Sequence, residues 1–173
     1  IGKVTSVSAD KFVVELLGGT DNFTVVGFDD MHYVARLGSF LMIPVQTEYV
    51  VAEVVGLREK DPTSGRDDER SLTLDKASSA KFLDVVPVGM LSTEEHGKFR
   101  FGVSTYPALY ADVLYARDNE LDRIFDVENA EEQVPDKNGV PPQPPTATRF
   151  KAVTFGTSVV FQGYDVKVRL EDF

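Results

Sequence analysis

The sequence predicts a mainly β domain, a small, partly open β-barrel with one short helix and two long loops or insertions. Three observations predict it. Short, β-branched apolar runs recur about every 10 residues with turn residues between them. Only one segment, near residue 118, has apolar residues at helical spacing. Two stretches, 59–79 and 128–148, break the pattern by charge and by proline content.

Residues 1–58 make up the first part of the barrel. Ile1 to Val7 and Phe12 to Leu17 are apolar runs separated by the polar turn Ser8-Ala9-Asp10-Lys11. Gly18 to Asn22 forms a second turn. Further strands follow over Phe40 to Val45 and Tyr49 to Leu57, with Gly38 at the entry of the first. Pro44 marks an edge or a bulge, because it has no N–H for a ladder. Gly56, inside a strand, marks a bend.

Residues 59–79, rich in Asp, Glu, Lys and Arg, form a charged surface insertion. Residues 80–127 return to strands and the helix. Lys81 to Leu91 and Lys98 to Val103 flank the turn Glu94 to Gly97. Phe99, Phe101 and Val103 alternate with Arg100 and Gly102, which predicts an inward apolar face. Pro107 breaks the next segment, and Asp112 to Ala116 is a short strand. A helix of about three turns starts with Asp118 as its N-terminal cap; Leu121, Ile124 and Phe125 form its docking stripe.

Residues 128–148 are an acidic, then proline-rich loop carrying Pro135, Pro141, Pro142, Pro144 and Pro145. Pro141 and Pro144 stand in the register of a proline-recognition ligand, beside the plainer reading of an extended loop. Residues 149–173 are closing strands: Val153 to Phe155, Val159 to Phe161, and the alternating Val166, Val168 and Leu170.

Composition narrows the function classes. With 18 basic and 28 acidic residues the formal charge is −10, which disfavours a nucleic-acid clamp. The hydrophobic fraction of 42% supports a packed core. No apolar run approaches the roughly 20 residues that span a bilayer, so no membrane partner is expected. Cysteine is absent, which removes disulfides and thiolate chemistry and fits a reducing, cytoplasmic setting. The chain starts at Ile1 without a signal-peptide pattern, consistent with a start inside a longer reading frame.

No catalytic constellation emerges. His32 and His96 lack the spacing of metal ligands, and the pairs Glu94-Glu95 and Asp67-Asp68 read as turn residues. A phosphate loop needs GxxxxGK[ST]; Gly97-Lys98 is followed by Phe99, and Ser92 stands where the first glycine belongs. The expectation is no catalytic, cofactor or metal residue in this segment. The apolar residues Phe40, Met42, Ile43, Val45, Val159, Val160 and Phe161 are candidates for a subunit interface, with burial in the domain's own core as the alternative.

Several passages together resemble a known family. They are Ile1-Gly2-Lys3-Val4, Gly38 to Pro44, Val51 to Leu57 and Pro87 to Leu91. Phe99 to Pro107, Asp112 to Tyr115, the helix from Asp118 to Phe125, Phe155 to Ser158 and Asp165 to Phe173 complete the set. This arrangement resembles the N-terminal barrel (HAS-barrel) of HerA-type hexameric ATPases, DNA translocases with a helicase-like motor. The resemblance implies a non-catalytic tier of a homo-hexameric ring that supplies subunit assembly and partner docking. It further implies ATP and Mg2+ on a following ATPase core that also contacts DNA. The implied partner is a nuclease in DNA repair or an effector in antiphage defence. Two other readings stay open: a stand-alone barrel of a phage or secretion ring, and an enzyme with an unrecognised site.

Overall fold

A computed structural model describes residues 1–17, 24–26, 31–33, 36–60, 80–94, 96–127, 130–132, 150–161 and 163–169; for 24–26, 31–33, 130–132 and 150–152 it describes the backbone course. The chain divides into two compact units, Ile1–Ala116 and Arg117–Phe173.

The first unit is a closed antiparallel barrel. Strands β1 (Gly2–Val7) and β2 (Phe12–Leu16) form a hairpin. Its turn is held by Ser8, whose Oγ lies 2.8 Å from the Asp10 carboxylate and whose N–H donates to the Lys11 carbonyl at 3.0 Å. A separate backbone hairpin pairs β3 (Thr24–Val26) with β4 (Met31–Tyr33). Strand β5 (Phe40–Val45) follows a turn in which Gly38 takes a φ of 86°, a value that glycine tolerates best. A two-residue turn leads to β6 (Glu48–Lys60), which pairs along its whole length with β7 (Ala80–Ser92). Strand β9 (Asp112–Tyr115) lies between β1 and β5.

The ring closes where β2 pairs with β7, from Phe12 opposite Val85 to Glu15 opposite Phe82. The barrel is thus closed rather than partly open. Its curvature comes from two bulges in the β6–β7 ladder, at Val51/Ala52 and Val54/Gly56. Gly56 marks the second, as expected: a Cβ there would lie 3.2 Å from the Asp84 Cβ. Pro44 sits two residues beyond the last pairing of β5 with β9, so its missing N–H breaks no ladder on that side.

Inward residues alternate along every ring strand and fill the interior, as in other barrels of this size. Val4, Phe12, Leu41, Ile43, Val54, Leu83 and Val85 are essentially sealed from solvent. The segment 102–111, leading into β9, adds Val103 and Ala111 to this core, and Tyr106 sets its ring edge-on to Phe12 at 6.1 Å.

Strand β8 (Phe99–Phe101) departs from expectation. Phe99 and Phe101 do not face inward. The bulge between Val51 and Ala52 shifts the phase of β7, so Met90 points into the core while Gly89 and the buried Leu91 lie on the opposite face with the two phenylalanines. Phe101 is 85% exposed.

In the second unit, α1 (Asp118–Ile124) has seven residues, about two turns rather than three. Its cap is Arg117 rather than Asp118: the Glu120 carboxylate accepts the Arg117 N–H at 2.8 Å. Strands β10 (Ala130–Glu132), β11 (Phe150–Thr157) and β12 (Asp165–Arg169) form a three-stranded sheet of their own. Among the described residues they pair with no barrel strand. Val159, Val160 and Phe161 lie in the turn between β11 and β12 and not in a strand. Two boundaries also move: Glu59 and Lys60 belong to β6, and Ala130–Glu132 is strand within the stretch expected to be loop. The remaining insertion, 61–79, and the prolines from Pro135 to Pro145 lie outside the described residues.

Candidate functional site

The seven interface candidates fall into three environments. Ile43 and Val45 point into the barrel and belong to its core, Ile43 with no exposure at all. Phe40 is half-buried, and Met42 is buried although it alternates with the core residues. Val159 is 85% exposed, while Val160 and Phe161 are half-buried. The Phe161 ring packs edge-on against Phe125 at 5.8 Å and Tyr164 at 6.2 Å. Of the four candidates on β5, Ile43 and Val45 are therefore core residues of the barrel rather than surface.

Sequence reasoning overlooked a different group. Phe101, Tyr106, Leu109, Tyr110 and Leu114 are exposed along β8, the segment after it and β9. The phase of β7 turns Phe101 out, and Tyr110 takes a positive φ of 64°. The available signal was the alternation of Phe99 and Phe101 beside Gly89. A Cβ at Gly89 would sit 2.3 Å from the Arg100 carbonyl and 2.5 Å from the Phe99 ring, so the Phe99 ring occupies the glycine's empty place.

Ionic chemistry on the barrel surface is local. Asp84 on β7 receives Arg58 from β6 at 2.6 Å and Lys11 at 3.7 Å. An open cleft of about 450 Å3 beside this pair is lined by Ser6, Val13, Arg58, Glu59, Lys60 and Phe82. Lys3 on β1 bonds Asp112 on β9 at 2.7 Å, and that bond holds the Asp112 carboxyl below the usual carboxylate range.

In the second unit Asp122 on α1 accepts from the Tyr164 hydroxyl at 2.9 Å and from Lys167 Nζ at 3.0 Å. Burial, reinforced by the Asp122 carboxylate, pushes the Tyr164 phenol well above its ordinary pKa. Arg169 reaches Asp126, bonding both its carboxylate and its backbone carbonyl. These bonds tie the helix to β12; each carboxylate is used by a structural partner.

Among the described residues no three His, Cys, Asp or Glu side chains gather to hold a metal ion. His96 is exposed in a turn; the side chain of His32 and the pair Asp67-Asp68 lie outside the described residues. No described helix is long and apolar enough to cross a membrane. No family model matches the sequence, and no curated protein matches it either.

Proposed function

We propose that this chain is a non-catalytic barrel domain devoted to assembly and protein docking, the N-terminal tier of a HerA-type ring ATPase. The observation that carries the reading is the division of labour in the barrel. Its interior is filled by its own apolar side chains, while aromatic residues such as Phe101 and Tyr110 stand 85% and 71% exposed on its outside. A filled barrel offers its outer surface, and exposed aromatics are the residues that anchor protein interfaces. The formal charge of −10 suits a scaffold tier better than a DNA grip.

On this reading the ring is a homo-hexamer in the cytoplasm. ATP and Mg2+ bind to a motor encoded after this segment, DNA contacts lie in that motor, and the barrel engages a nuclease or a defence effector. The resemblance of the quoted glycine, proline and strand passages supports this assignment over a stand-alone ring component.

The reading frame downstream of Phe173 tests it. A GxxxxGK[ST] motif close behind this segment is the expected outcome; a frame without one sinks the ATPase assignment. Analytical ultracentrifugation of the full-length protein provides a second check. It should sediment as a hexamer, and deletion of residues 1–116 should weaken either the ring or its capture of partner.

A further inference from the structure

Among the described residues the outer edge of β8 is unpaired. The Gly102 N–H donates to the Val88 carbonyl at 3.0 Å, and Phe101 stands opposite Gly89. In an antiparallel ladder this phase makes Arg100 the hydrogen-bonded partner of Met90 and leaves Phe99 and Phe101 as non-hydrogen-bonded positions. The N–H and C=O groups of Phe99 and Phe101 therefore point away from β7. β8 is the last strand on its side of the sheet, with no strand beyond it among the described residues. Such an edge is a template for an incoming strand.

The two faces of this edge differ in chemistry. Phe99 and Phe101 project on one face, their rings edge-on at 5.0 Å. Arg100 projects on the other, bonded to Glu48, and Lys98, just before the strand, is exposed. A strand laid beside β8 would meet apolar and cationic residues in alternation, and would match them best with apolar and acidic residues in alternation.

We propose that the free edge of β8 captures an extended segment of a partner protein in which apolar and acidic residues alternate. A second copy of this chain fits less well. Antiparallel pairing of two β8 strands about their centre would set Arg100 opposite Arg100. The inference deepens the docking role proposed above and rests on it only for the existence of a partner.

The test is fluorescence anisotropy with the full 173-residue chain and a labelled synthetic peptide alternating valine and glutamate. This peptide should bind, a valine–lysine peptide should not, and N-methylation of the amides that face β8 should weaken binding by about tenfold or more. Phe101→Pro removes an N–H that β7 does not use, so it should weaken the peptide similarly with the thermal melt unchanged. Should that variant melt early, Lys98→Glu decides: it should weaken the glutamate peptide and improve the lysine peptide. Equal binding of the N-methylated peptide, or indifference to Lys98→Glu, overturns the proposal. So does self-association abolished by Phe101→Pro without peptide binding. A phosphate-loop motif or a hexamer found independently leaves this result unaffected, and failure here leaves the ring reading standing.

Discussion

At the scale of single residues, Tyr164 and Gly89 show how position overrides composition. The Tyr164 phenol is nearly sealed and donates to Asp122, so its folded pKa is raised above the model-peptide value of 10.0. A raised folded pKa means that its stabilisation is fully present below about pH 10 and fades as pH rises beyond that, because the unfolded chain releases its proton first. Tyr164→Phe should cost about 1 kcal/mol at neutral pH and should flatten the alkaline decline, both measurable in urea melts across pH. Gly89 is needed for space. Adding a methyl group there collides with the Arg100 carbonyl and the Phe99 ring. Gly89→Ala should therefore destabilise the first unit by about 1–3 kcal/mol and accelerate hydrogen exchange at Arg100, whose amide ties β8 to β7.

At the scale of elements, α1 depends on its ends because seven residues cannot sustain a helix by propensity alone. Glu120→Ala removes the acceptor for the Arg117 N–H and should cost about 0.5–2 kcal/mol, read from the melt of the second unit. Strand β9 has a different dependence. Its pairing with β1 carries the Lys3–Asp112 bond, which depresses the Asp112 pKa. That contribution is present above the ordinary carboxylate pKa and is lost as pH falls through the lowered one. Asp112→Asn should accordingly lower the melting temperature at pH 7 and leave little difference from the parent in strong acid.

The elements were unequally legible in sequence. β1, β2, β5, β6 and β7 announce themselves by β-branched apolar runs between turn residues, and Gly56 and Pro44 mark a bulge and a stretch beyond the pairing with β9 as their chemistry requires. The helix is visible through Leu121 and Ile124, though its cap shifts by one residue because Glu120 can reach the Arg117 N–H. β8 differs from expectation for a physical reason: alternation shows that two faces differ and is silent on which one faces the core. A bulge in its neighbour decided that.

At the scale of the molecule, the closed ring makes the first unit a single cooperative structure. Ile43 lies inside it with no exposure, so Ile43→Ala should cost about 2–5 kcal/mol. Fluorescence and circular dichroism should report one coincident transition for that unit in guanidinium. Val159→Ala, at an 85% exposed turn position, should change stability by less than about 0.5 kcal/mol. The pair of variants separates the two environments that sequence alone had grouped as one interface.

Taken by itself, the amino-acid sequence determined the β class, the places where strands stop and the absence of a phosphate loop. Each is a local property of turn chemistry, alternation and motif spacing. Tertiary structure decided the closure of the ring through β2 and β7, the outward turn of Phe99 and Phe101, and the separation of β10 to β12 into a sheet of their own. Those outcomes depend on pairings between residues about seventy positions apart, such as Phe12 with Val85, and on the phase that a bulge imposes on a neighbouring strand. Among the described residues the outer edge of β8 is left unpaired, with its faces set by the phase that the bulge imposes on β7.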